Sequence, residues 1–151
     1  MPLMLPALSR AAPPRSHTEP HLVQLAALCW RKGEEGREVL LVTSSSGRWI
    51  LPKGWPMEGK SPSEAALTEA WEEGGVVRGK ASRKPVGAYM ATKRTTAGDD
   101  LPCLHRVFAI KVRETADDFP EAHRRDRVWV SPEQAASMVD EDGLRDILRN
   151  F

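Results

Sequence analysis

Residues 54–76, GWPMEGKSPSEAALTEAWEEGGV, constrain the fold more than any other stretch. Ser61 is a good N-cap, Pro62 suits the first helical position, and Glu64 follows Ser61 by three residues to close a capping box. Gly74 and Gly75 mark the stop. A helix between these ends stacks Glu69, Glu72 and Glu73 on one side, at i, i+3 and i+4. Ala66, Leu67 and Ala70 fall on a neighbouring face and predict contact with a core.

Stacked carboxylates repel, each pair by roughly 0.2–0.5 kcal/mol in an isolated helix. Two readings follow. One is a solvated acidic face. The other is a site for a hard divalent cation, Mg²⁺ or alternatively Mn²⁺, which takes carboxylate oxygens and water as ligands. Position favours the cation. Immediately upstream, Leu51-Pro52-Lys53-Gly54 predicts a tight basic loop, and acids beside a Lys/Gly loop suit a metal–phosphate site.

The same stretch resembles the Nudix box, G-x5-E-x7-REUxEExGU, where U is a bulky aliphatic residue. Gly54, Glu69, Glu72, Glu73, Gly75 and Val76 match it without a gap. Lys60 stands where the pattern has its first Glu, Thr68 where it has Arg, and Ala70 where it has an aliphatic residue. A long spaced pattern is more specific than a short glycine motif. The resemblance implies an α/β fold, an α/β/α sandwich around a mixed sheet, and Mg²⁺-dependent hydrolysis of a phosphoanhydride. It implies Glu69, Glu72 and Glu73 as metal ligands and catalytic groups, with the Gly54 carbonyl as a further ligand. Family members often add an acid from outside the box, and Glu121, shortly before the segment RVWV, is the candidate here. In the family the Arg at position 68 orients the adjacent Glu, so Thr68 and Lys60 motivate an alternative: a catalytically weakened module that binds a phosphorylated ligand.

Composition narrows the partners. The chain has 151 residues, enough for one domain, read as an arm over 1–20 and a single domain over 21–151. A formal net charge of +1 gives no global pull toward nucleic acid or anionic membrane, so any electrostatic selectivity is local. No apolar run approaches the roughly 20 residues that span a bilayer. Prolines 2, 6, 13 and 14 break the start and argue against a signal peptide. These readings predict a cytoplasmic protein whose partner is a small phosphorylated molecule, with monomer or homodimer left open. Cys29 and Cys103 lack metal-site spacing and read as reduced thiols.

Strands are predicted over 21–30, 38–43, 48–51, 85–92, 103–112 and 127–130, with an extended segment at Val76-Val77 interrupted at 79–84. Ser131 and Pro132 open a second helix to about Val139, and 144–148 read as a last helical turn or two. Cations for phosphate are sought at Lys53, Arg48 and Arg106. Arg106 interrupts an otherwise apolar alternation, and His105-Arg106 resembles a pair in Nudix enzymes that cleave diphosphoinositol polyphosphates. Lys93-Arg94 and Arg124-Arg125 lie in polar segments that can overhang the site or simply be solvated. Of five tryptophans, Trp49 and Trp129 are expected in the core or on sheet faces and Trp71 beside the acids, while Trp55, directly after Gly54, reads more readily as outside the pocket than at its border. The single tyrosine, Tyr89, supplies no clear aromatic clamp for a base.

Overall fold

The structure, a computed structural model, describes residues 22–151; the arm read over 1–20 lies outside them. In chain order the elements are β1 (Leu22–Gly33), β2 (Gly36–Thr43), β3 (Trp49–Ile50), β4 (Lys53–Gly54), α1 (Pro62–Gly74), β5 (Val76–Ala81), β6 (Gly87–Arg94), β7 (Asp100–Thr115), β8 (Arg127–Val130), α2 (Pro132–Met138) and α3 (Asp142–Arg149). The strands form one mixed sheet with the path β3-β2-β1-β7-β5, to which β4 adds on β1, β6 on β7 and β8 on β2. β1 and β7 run parallel, Leu22 to Trp30 against Cys103 to Lys111. The other pairings are antiparallel.

Strand alternation sorts the apolar residues into two cores. Ala26 and Leu28 of β1 and Val39 and Leu41 of β2 point one way, to Ala135, Leu144 and Leu148 of α2 and α3. Leu25, Ala27, Leu40 and Val42 point the other way, to Ala65, Ala66 and Ala70 of α1. Both faces of the central strands are therefore buried, which explains why LAALC and VLLV read as nearly continuous apolar runs. Three helices over two faces make the expected α/β/α sandwich.

α1 begins and ends where its caps place it. The Glu64 N–H donates to Ser61 Oγ at 3.2 Å, and the Ser61 N–H donates to Glu64 Oε1 at 2.8 Å. Gly75 closes the helix in the left-handed region, at φ 75°. Two expectations need correction. The predicted loop at Lys53-Gly54 is a short strand: Gly54 pairs with Leu25 and Lys53 with Ala26. The break predicted at Gly79 begins only after Ala81, because β5 continues along the second half of β7 through register shifts between Val76, Arg78 and Gly79. Cys29 and Cys103 are both buried and free.

Candidate functional site

The strand at Lys53-Gly54 brings the acids together. Gly54 has no side chain, and the Glu69 carboxylate fills the notch this leaves: a Cβ built on Gly54 would lie 2.8 Å from Glu69 Oε1 and closer still to Oε2. One helical turn on, Glu73 Oε1 accepts the Lys53 backbone N–H at 3.1 Å. Both acids are buried, Glu69 at 8% and Glu73 at 6% exposure. Glu72 is half-buried on the same helix side.

Arg125 closes the cluster. Its guanidinium lies 3.4 Å from Glu73 Oε2 and 2.8 Å from Glu121 Oε1, and it donates to the Thr43 carbonyl at 2.7 Å. The Glu121 N–H donates to the Glu72 carbonyl at 3.0 Å and ties that loop to the end of α1. Glu121 thus joins the site through a shared arginine. The sequence singled out Arg125 only as one of a pair in a polar loop. Its proximity to Glu73 comes from packing between residues 52 positions apart and left no local signal.

Burial, then the neighbouring Glu73 and, more weakly, Glu72 and Glu121, push Glu69 up to about 8. Burial also raises Glu73, while Arg125 and the Lys53 N–H pull it back. Burial and the neighbouring acids therefore disfavour a second negative charge on this pair, a penalty that a nearby cation relieves. Among the described residues no three His, Cys, Asp or Glu side chains converge tightly enough to form a ready-made metal centre. The donors present are two buried carboxylates on a glycine notch, with Glu72 and Glu121 at the margin. Mg²⁺ commonly takes one or two carboxylates and completes its shell with water and substrate phosphate. The donor set fits such an ion, with Glu69, Glu73 and the Gly54 carbonyl as the residues that would hold it.

The expected cations separate between the two faces of the sheet. Cross-strand partners share a face. Arg106 pairs with Leu25, which pairs with Gly54, so Arg106 stands on the α1 face in line with the acids. Two strand spacings put it about 10 Å from Gly54. It is exposed and makes no ion pair among the described residues. Lys53 points to the opposite face, where its Nζ donates to Gln24 Oε1 at 3.3 Å. Burial lowers its pKa, an effect that Glu73 opposes. Arg48 is not brought to the acids: it pairs with Glu141 at 3.3 Å and Asp140 at 3.6 Å, at the start of α3.

Lys53, Arg48 and Glu141 instead line a small cavity with Gln24, Lys93, Tyr89 and His105. Tyr89 Oη and His105 Nδ1 are 3.0 Å apart, both residues buried. Gln24 was not singled out by sequence; it sits in register with His105, which sits in register with Tyr89. Above them the Lys93 ammonium lies 6.0 Å from the ring of exposed Trp55. Trp71 is exposed too, but on the far side of α1.

Burial, then Lys53 and Lys93, push His105 down from 6.5 to about 4. A histidine depressed on folding binds its proton more readily when unfolded. Its neutral form is favoured fully above pH 6.5, and that contribution is lost as pH falls toward 4. His105→Gln is expected to flatten the dependence of Tm on pH in this window, by up to about 3 kcal/mol between its ends. An unchanged slope would show that His105 titrates normally.

The comparisons with known proteins agree with this geometry. The NUDIX domain family profile matches residues 22–151. "Nudix hydrolase 12, mitochondrial" of Arabidopsis thaliana is 32% identical over 118 residues, covering 76% of this chain and 58% of the relative. "Diphosphoinositol polyphosphate phosphohydrolase 3-alpha" of Mus musculus is 34% identical over 118 residues, covering 76% and 66%. The chain spans 53–63% of the length of four Arabidopsis relatives. Among solved structures, a C. elegans Ap4A hydrolase binary complex superposes with TM-score 0.67 at 20% identity, over 86% of this chain and 94% of that one. The NUDIX domain of Shewanella oneidensis NrtR, complexed with ADP ribose, superposes with TM-score 0.65 at 20% identity, over 87% of each. These last two are likenesses of fold. With the box acids Glu69, Glu72 and Glu73 gathered on one helix against Gly54 and the family profile running through all the described residues, the chain belongs to the Nudix family.

Proposed function

We propose that this chain hydrolyses a phosphoanhydride bond in a nucleoside-diphosphate-linked or polyphosphorylated compound, with Mg²⁺ or Mn²⁺. The observation that carries the reading is the buried Glu69–Glu73 pair seated against Gly54. Two acids held out of water with one arginine to offset them suit a divalent cation that arrives with its phosphate. When bound, such an ion neutralises phosphate oxygens and acidifies a water. Glu69 is the candidate to accept that water's proton. Arg125 bridges the Glu73 and Glu121 carboxylates and holds them in place. Arg106 faces the same side and suits a phosphate beyond the reacting one.

The named relatives act, by their names, on diphosphoinositol polyphosphates and Ap4A. The mouth of the small cavity, with Lys53, Lys93 and the neighbouring Trp55, favours the nucleotide-linked class for this chain. Arg48 is already neutralised by Glu141 and Asp140, which leaves Lys53 and Lys93 as the lining cations, beside a carboxylate, a tyrosine and a histidine. The cavity's interior of about 30 Å³ admits about one water, so a substrate group would meet this set only at the mouth, where two lysines are few for a ring of phosphates and exposed Trp55 offers a stacking face. A phosphate-release screen with Mg²⁺ over nucleotides, dinucleoside polyphosphates, nucleotide sugars and inositol pyrophosphates tests this. Turnover is expected with a nucleotide-linked member. Silence across every class, with Mn²⁺ as well, would remove the enzyme reading.

One observation bears on the weakened-module alternative. The two departures from the box touch: Lys60 Nζ donates to Thr68 Oγ1 at 2.7 Å, and Thr68 in turn donates to the Glu64 carbonyl at 3.1 Å. They form a substituted contact, and the Gly54 notch positions Glu69 independently of it. Lys60→Glu with Thr68→Arg, made together because they meet, is expected to change kcat by less than about threefold, within what surface contacts contribute. A gain of tenfold or more would favour the weakened module.

A further inference from the structure

The outer side of α1 and the strand that follows it frame a groove no part of the proposed chemistry uses. Leu67, Thr68 and Trp71 supply one wall; Val76, Val77, Arg78, Gly79 and Lys80 of β5 supply the other. Lys60 and Arg113 complete it, and its volume is about 700 Å³. With 100° between successive helix residues, Leu67, Thr68 and Trp71 lie roughly opposite Glu69 and Glu73. The groove is therefore on the back of the catalytic helix.

Three properties of it point the same way. First, its floor is apolar and open to water: Val77 is 44% exposed and Trp71 36%. Second, among the described residues it carries four cations and no carboxylate, on a chain whose net charge is only +1. Glu114 holds Arg78 at 2.8 Å from outside the groove, and Lys60 spends one N–H on Thr68. Lys80 and Arg113 make no ion pair among the described residues. Third, β5 is the last strand on its path through the sheet, so among the described residues its outer side faces no other strand. The register shifts between Val76 and Gly79 break a regular ladder, so a bound segment would be read chiefly by side chains.

We infer that this groove binds an extended acidic segment of another protein, an aliphatic side chain of the segment resting on Trp71 and Val77 and its carboxylates meeting Lys60, Arg78, Lys80 and Arg113. Charge complementarity selects the acidic partner. Residues 1–21 of this chain are a poor match, with Arg10 and Arg15 against a single acid, Glu19. Single-stranded nucleic acid fits less well, because it stacks successive bases on successive aromatic rings and here one indole stands among aliphatic residues.

The test uses the full chain and a fluorescein-labelled peptide with a central leucine flanked on both sides by runs of glutamate. Fluorescence polarisation is expected to show saturable binding that weakens with salt. Lys80→Glu with Arg113→Glu is expected to weaken it by about tenfold or more, and Trp71→Ala by a similar factor. Phosphate release by these variants should be unchanged, which separates this site from the acid cluster. Absence of saturable binding, or binding indifferent to the charge reversals, overturns the inference. An oligouridylate that competes more tightly than the peptide overturns it in favour of nucleic acid. Binding that appears only on deleting residues 1–21 shows the groove already filled by its own chain, and overturns it too.

Discussion

Glu73→Gln is expected to lower metal-dependent turnover about a thousandfold while Tm stays within a few degrees. The substitution is nearly isosteric. The amide oxygen still accepts the Lys53 N–H, which Glu73 Oε1 now does at 3.1 Å. What disappears is the negative charge. A single electrostatic group in a water-poor site is worth about 10²–10³ in rate, and a proton-handling group about 10²–10⁴. A thousandfold corresponds to about 4 kcal/mol of transition-state stabilisation. Stability should survive because Arg125 keeps Glu121 at 2.8 Å and the Thr43 carbonyl at 2.7 Å. Steady-state phosphate release and a thermal melt, on the same preparation, decide it. Undiminished turnover would refute the role given to Glu73.

Gly54→Ala should separate folding from catalysis in the same way, from the other side of the notch. The backbone tolerates alanine, since Gly54 is not among the glycines with positive φ. The new methyl would occupy the space of the Glu69 carboxylate. That carboxylate is the free end of a flexible side chain, so it moves rather than the strand, and the stability cost is expected to stay below about 1.5 kcal/mol, at the mild end for an added methyl. Displacement by about 1 Å is enough to cost about a hundredfold in rate. The measurement is kcat beside Tm. Full activity with an unchanged melt would mean that Glu69 does not need the position the notch gives it.

Both predictions rest on contacts of unequal legibility. The helix over 62–74 was readable because its signals are local: Ser61 and Glu64 are one turn apart, and Gly75 needs only its own backbone freedom. The strand over 127–130 and the helix after Ser131 were readable for the same reason. Glu69 and Glu73 were placed together by helical geometry alone. Arg125 was not, because the groups it joins, Glu73, Glu121 and the Thr43 carbonyl, belong to three different segments. Arg48 misled for a related reason. Five residues upstream of Lys53 it reads as a neighbour of the acids, yet its partner is Glu141, 93 positions away.

The sequence by itself determined the capped helix over 62–74, its stacked acids and the family, since capping, periodicity and a gapless spaced pattern act over a few residues and survive in any context. Only the tertiary structure decided which side of the sheet each cation serves. A two-residue strand at Lys53-Gly54 turns the glycine to α1 and the lysine to the other face, and that pleat exists only because β1 is there to pair with it.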